Sequence, residues 1–249
     1  MYRNRSFAAV ILATGLWSTG ALAAHGAHWS YTGEGGPGHW AELSADYESC
    51  GAGRNQSPVD LGAAVEAQAA DVTFHYAATP LKVTNNGHSI QVDYAPGSYI
   101  ELDGHRYDLK QFHFHSPSEH EVDGHSFPME GHLVHADEDG NLAVIGVFFE
   151  SGGENDTIRS VWQHLPARAG ESAEVDGEQV DVAGLLPEDR AAWRYNGSLT
   201  TPPCSEGVSW LVMKAPVRVS AQRIAQFHDL MGVDNNRPVQ PLNARVVLE

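Results

Sequence analysis

Between residues 72 and 213 the apolar residues come in short runs, and this constrains the fold more than any other feature of the sequence. Residues 72–74, 81–83, 89–92, 109–115, 142–149 and 208–213 are each shorter than a core helix and rich in β-branched or aromatic side chains, so they read as strands. Helical spacing occurs twice. Ile158, Val161, Trp162 and Leu165 follow it until Pro166; Ile224, Phe227 and Met231 follow it between Ser220, a suitable N-cap, and Gly232, a suitable stop. Residues 24–56 are rich in Gly, His and aromatics without periodicity, which predicts an irregular arm lying on the core. No repeat, low-complexity tract or linker divides the chain. The pattern predicts a single mainly β, or α+β, domain: a large sheet with short peripheral helices.

The first 23 residues stand apart. Arg3 and Arg5 precede an apolar stretch too short to span a bilayer as a helix, and Ala21-Leu22-Ala23 has the small-x-small pattern of a cleavage site. Residues 1–23 therefore read as a signal peptide that is removed, with 24–249 as the mature domain; an uncleaved anchor is the alternative. Export to the periplasm or the medium is the address this predicts, with no membrane insertion after cleavage. The two cysteines, Cys50 and Cys204, suit an oxidising compartment and one disulfide, or else two unrelated buried thiols. The formal charge of −17 becomes −19 once Arg3 and Arg5 leave, and such a surface repels phosphate backbones, which excludes nucleic acid as a partner.

Among 14 histidines, spacing matters more than number. In the run Gln111-Phe112-His113-Phe114-His115, strand alternation puts both phenylalanines on one face and Gln111, His113 and His115 on the other. In Met129-Glu130-Gly131-His132-Leu133-Val134-His135, Glu130, His132 and Val134 share a face and His135 points away. Antiparallel pairing of these strands brings His132 across as a third nitrogen ligand and leaves a fourth tetrahedral position open, the mark of catalytic zinc. Gln111 and Glu130 each lie two residues before a histidine on the same face, where an acceptor oxygen fixes the imidazole that binds metal. Imidazole-only ligation fits zinc best, although cobalt, copper or iron suit the same ligands, and a bare His-x-His also occurs in cupins and metallo-hydrolases.

These runs, with Ser118-Glu119-His120, resemble the zinc core of the alpha-class carbonic anhydrases of bacterial, exported type. Further blocks of the family pattern occur in order: Gln56-Ser57-Pro58-Val59-Asp60, Asn85-Asn86-Gly87-His88, Leu142-Ala143-Val144, Tyr195 to Pro203, and Gln240-Pro241-Leu242. The likeness extends from about Trp29 to Arg245. It implies one zinc per chain on His113, His115 and His132, and reversible hydration of carbon dioxide to bicarbonate and a proton by a zinc-bound hydroxide. It implies that the Thr200 hydroxyl donates to Glu119 and that His88 shuttles protons. Val134, Val144, Leu199 and Trp210 would form the apolar wall for the substrate, with Thr201 beside it and Tyr31, Asn86 and Gln91 as polar groups of the cavity. It pairs Cys50 with Cys204, implies cis bonds before Pro58 and Pro203, and implies a twisted, mostly antiparallel sheet of about ten strands. Bacterial members suggest a homodimer, for which the sequence carries no interface signal.

The sequence departs from the family pattern in two places. The connection Ser116-Pro117-Ser118 is shorter than in animal members. Ala244 stands where many members carry Asn, in a region expected to supply a backbone acceptor for His115. Two other functions compete: a zinc-free binding module of the same fold, which typically lacks a ligand histidine, and another three-histidine metallo-hydrolase, which leaves the block from Ser198 to Pro203 unexplained.

Overall fold

Alternating sequence becomes a sheet here because successive side chains of a strand point to opposite faces, and each face of the central strands meets its own packing partners. The computed structural model describes residues 27–68 and 70–249; the predicted leader lies outside them. The strands, in chain order, are β1 (Val72–His75), β2 (Thr79–Asn85), β3 (Ile90–Asp93), β4 (Tyr99–Leu102), β5 (His105–His115), β6 (Glu121–Val122), β7 (His125–Ser126), β8 (Met129–Ala136), β9 (Leu142–Ser151), β10 (Ser172–Val180), β11 (Ala192–Ser198), β12 (Glu206–Met213) and β13 (Val217–Val219). Eleven of them make one sheet whose main path runs β10-β2-β3-β5-β8-β9-β12-β11, and β6 and β7 form a separate hairpin. All pairs are antiparallel except β12 and β13 along β9. The expected large, mostly antiparallel sheet is therefore present.

Five of the six predicted strand runs lie wholly within strands, and the sixth does so from Ile90 onward. Strands β4, β10 and β11, and the short β6, β7 and β13, were not legible. Strand β10 is an edge strand that leaves Glu174, Asp176 and Glu178 in or near solvent, so it carries the charge that blunts an edge rather than an apolar run. Helices are few: α1 (Trp40–Leu43), α2 (Ser49–Ala52), α3 (Asp156–Trp162) and α4 (Ala221–Met231). Helix α3 starts where the Asn155 side chain accepts the Ile158 N–H, and it ends short of Leu165 because the residues approaching Pro166 leave helical geometry. Helix α4 ends at Gly232 in the left-handed region (φ 70°), as predicted; the Ser220 hydroxyl, by contrast, caps nothing and is buried without a partner.

The two phases of β8, β9 and β12 build two apolar layers. Leu133, Ile145, Val147, Phe149, Leu211 and Met213 join Phe112 and Phe114 in the larger one. Val144, Phe148, Trp210 and Val212 join Val59, Leu61 and Tyr195 on the opposite side. The arm packs through a third cluster, where fully buried Trp40 meets the Cys50–Cys204 disulfide, Trp29 and Tyr31. Cis bonds precede Pro58 and Pro203 as implied, and a third precedes Pro117.

His135 points into the larger layer, away from the other histidines. It is wholly buried, with Nδ1 facing the Ala143 carbonyl at 3.3 Å and Nε2 accepting from the Tyr76 hydroxyl at 2.8 Å. Burial, only partly offset by the backbone of Ala143 and Leu133 and by the charge of Asp108, lowers its pKa to about 4. The unfolded chain then binds a proton that the folded one refuses, so folding stability is fully present above about pH 6.5 and falls as the pH drops towards 4. The loss from this group is about 3 kcal/mol. Urea melts of wild type and His135→Gln between pH 7 and 4 should differ in slope over that window; parallel curves would remove His135 from the account.

Candidate metal centre

Strands β5 and β8 pair with His113 opposite His132 and His115 opposite Glu130. Their common face thus collects the three histidines that the alternation predicted. One ring nitrogen from each lies within 4.8 Å of the others, and the ring centroids are 4.6 to 5.3 Å apart. The other ring nitrogen of each is tied. His113 Nδ1 donates to Gln111 Oε1 at 2.8 Å, His115 Nδ1 to the Asn235 carbonyl at 2.7 Å, and His132 Nε2 to Glu130 Oε1 at 2.9 Å. This leaves His113 Nε2, His115 Nε2 and His132 Nδ1 facing one another, and His115 Nε2 is buried with no partner at all. Burial first, then the neighbouring imidazoles, holds His113 well below the ordinary histidine range; burial also lowers His115, against the pull of Glu119. Neutral imidazoles with free lone pairs are what a metal ion requires. The donor set and its orphaned nitrogen fit zinc.

The partner of His115 corrects an expectation. Its backbone acceptor is Asn235, not the segment around Ala244, and Asn235 also accepts the Ser116 N–H and donates to the His88 and Phe114 carbonyls. Nothing in the sequence pattern marked this residue, because a carbonyl acceptor has no side-chain signature.

Glu130 holds more than was predicted. Its Oε2 accepts the backbone N–H groups of Glu119 and His120, both at 2.9 Å, and its Oε1 is shared by the rings of His120 and His132. Burial pushes its carboxyl up, but the two histidines and their hydrogen bonds outweigh this and hold it well below the usual carboxylate range. Burial likewise works against a proton on His132, and Glu130 and Glu119 together raise its pKa. The grouping of His120, Glu130 and His132 is thus a hydrogen-bonded triad rather than a second metal site. It continues from His120 Nε2 to the Tyr195 hydroxyl at 2.6 Å and on to Ser57 Oγ at 2.8 Å. Two glycines make room for it. A Cβ on Gly146, opposite His132, would come within 2.9 Å of Glu130 Oε1, and one on Gly197 would collide with Ser57 Oγ.

Glu119 and Thr200 are both buried. The expected hydrogen bond between them is not formed. Glu119 Oε1 instead accepts the backbone N–H of Arg237 at 2.8 Å, while Oε2 has no partner and faces His115 Nε2 at 3.6 Å and His132 Nδ1 at 3.8 Å.

Tyr31, Asn86, His88, Gln91, Gln111 and Thr201 line a cleft of about 140 Å³ that reaches His113 and His115. His88 sits at its side, half-buried, stacked on Trp29 with centroids 3.7 Å apart, and burial followed by the nearby His28 lowers its pKa. Gln91 opposes His113 across β3 and β5, and its amide donates to Asp93. Val134, Val144, Leu199 and Trp210 fall in one apolar cluster, with the Trp210 ring 4.9 Å from that of His132. The disulfide between Cys50 and Cys204 is formed.

The family pattern of eukaryotic-type carbonic anhydrases matches residues 35–249. A carbonic anhydrase from Pectobacterium carotovorum is 44% identical over 228 residues, covering 92% of this chain and 93% of the relative. One from Klebsiella pneumoniae is 46% identical over 224 residues, covering 89% and 91%. Among solved structures, the alpha-carbonic anhydrase of Thermovibrio ammonificans with the inhibitor sulfanilamide superposes with a TM-score of 0.88 at 50% identity, over 90% of this chain and all of that one. With its sheet, its imidazole triad and these relatives in agreement, the chain belongs to the alpha-carbonic-anhydrase family and hydrates carbon dioxide reversibly to bicarbonate.

Proposed function

We propose that His113 Nε2, His115 Nε2 and His132 Nδ1 hold one zinc ion per chain, and that the surrounding side chains divide the rest of the reaction among them. The observation that carries this reading is the set of three free imidazole nitrogens within 4.8 Å, each ring pinned through its other nitrogen. When bound, zinc supplies the Lewis acidity that makes water a nucleophile at neutral pH, a chemistry of which carbonic anhydrases are themselves the standing example. Val134, Val144, Leu199 and Trp210 offer carbon dioxide an apolar surface beside the histidines, with Thr201 at the edge of the polar cleft. Tyr31, Asn86 and Gln91 keep the opposite side of the cleft polar and able to hold ordered water.

Glu119 Oε2 is the acceptor left for the Thr200 hydroxyl once Oε1 is taken by Arg237. With its only proton committed to Glu119, the Thr200 oxygen can only accept, so it selects and orients a protonated oxygen in front of it. His88 carries the released proton between cleft and solvent. Its lowered pKa favours the neutral form that accepts a proton near pH 7. His88→Ala should lower turnover by about one to two orders of magnitude in weak buffer, leave kcat/KM almost unchanged, and recover with added imidazole. Unchanged turnover in weak buffer would release His88 from this role.

We also infer export. The disulfide suits an oxidising compartment, and no helix among the described residues is long and apolar enough to cross a membrane. Protein purified from a periplasmic extract should begin near Ala24, contain one zinc per chain and hydrate carbon dioxide. A metal-free, inactive protein would favour a binding module instead.

A further inference from the structure

Glu119 is gripped at one oxygen only, by the backbone N–H of Arg237. The aim of its free oxygen therefore depends on whatever fixes Arg237. That residue is the only lysine or arginine among the buried side chains of the described residues, at 1% exposure. Its Nη1 donates to Gln56 Oε1 at 2.9 Å and to the Ser57 carbonyl at 2.8 Å, its Nη2 donates to the Cys50 carbonyl at 2.9 Å, and the guanidinium lies 5.6 Å from the Trp40 ring. Gln56 passes the link on, donating from Nε2 to the Cys204 carbonyl at 3.0 Å. Both half-cystines are thus tied through their carbonyls to one guanidinium, Cys50 directly and Cys204 through Gln56. Cys204 N–H in turn donates to the Thr201 carbonyl at 2.8 Å, next to Thr200.

The guanidinium's hydrogen bonds go to neutral acceptors, so it lacks the direct carboxylate partner that usually accompanies a buried cation. Burial lowers its pKa to about 10, and Glu119 is the acid whose charge opposes that. A charge kept under such conditions calls for a reason beyond packing.

We propose that the Arg237 side chain is the positioning residue of Glu119: anchored to the Cys50–Cys204 bridge directly and through Gln56, it fixes the backbone N–H that clamps Oε1 and leaves Oε2 as the aimed acceptor. The disulfide thereby acts on the catalytic carboxylate as well as on stability. The kinetic part of this inference rests on the role proposed for Glu119; the part concerning the Arg237 amide does not.

The test uses the full zinc-loaded protein, with Arg237→Met, which keeps the stem, Arg237→Lys, which keeps the charge, and Gln56→Leu, which removes one acceptor of the guanidinium and its link to Cys204 while keeping the Arg237 side chain. Hydrogen exchange of the Arg237 amide should speed up by about tenfold or more in Arg237→Met and Gln56→Leu, while peptides from β8 and β9 keep their protection. The kcat/KM for carbon dioxide should fall by about tenfold or more in Arg237→Met at unchanged zinc content, and Arg237→Lys should recover part of it. In a Glu119→Gln background the same Arg237→Met change should cost less than about twofold, because the group it positions is already gone. Reducing the disulfide of the wild type should open the same amide. An Arg237 amide that exchanges at the wild-type rate in both Arg237→Met and Gln56→Leu overturns the proposal, as does an equal loss of kcat/KM with and without Glu119. If Glu119→Gln alone retains full activity, the reading of Glu119 fails, and the exchange result still decides whether Arg237 fixes the clamp.

Discussion

Replacing His132 by alanine is expected to give a folded protein that does not retain zinc and hydrates carbon dioxide more than about a thousandfold more slowly. The change removes one of three converging nitrogens, and two imidazoles from a single strand cannot enclose the ion. The fold should survive, because Glu130 keeps most of its partners: the N–H groups of Glu119 and His120 and the ring of His120 remain in place. Elemental analysis after dialysis, stopped-flow hydration and circular dichroism follow the three effects separately. A variant that kept one zinc per chain and activity within about tenfold of wild type would show that the metal sits elsewhere.

Glu130→Ala should do the converse and damage the scaffold as well as the metal site. The carboxylate is completely buried and receives four donors from three residues, two of them imidazole rings. Alanine leaves all four without an acceptor inside the core. Removing one partner of a buried charged pair costs about 3–5 kcal/mol, and losing the hydrogen bond that orients a ligand lowers metal affinity by about 10- to 100-fold. Urea denaturation of the zinc-free protein gives the first figure and chelator competition gives the second. Zinc-free stability within about 1 kcal/mol of wild type would mean that the triad carries little of the fold.

The candidate metal centre was legible from sequence wherever it obeys the two-residue period. Gln111, His113 and His115 follow one another on a strand face, Glu130 and His132 do the same, and antiparallel register then sets His113 beside His132. Periodicity cannot show contacts made by a backbone atom arriving from far along the chain. The Asn235 carbonyl reaches His115 from 120 residues away, and the Arg237 N–H reaches Glu119 from 118. Both come from the irregular segment after α4, where no pattern marks a residue. His120 escaped for a related reason: it lies outside any strand, so alternation could not show that its ring shares Glu130 with His132. Strands β10 and β11 were missed because an edge strand and one covered by the C-terminal residues carry mixed polar sequence. Leu248 bridges to Arg194 of β11 and to Val65, which occupies that margin of the sheet.

What holds the account together is one cation shared by nitrogens from two neighbouring strands. A crystal of the protein as purified, measured on both sides of the zinc absorption edge, tests this directly. The predicted result is a single strong anomalous peak at about 2.0–2.1 Å from Nε2 of His113, Nε2 of His115 and Nδ1 of His132, with no fourth protein ligand. A peak bonded to any other set of side chains, or a fourth side chain closing the site, would contradict it.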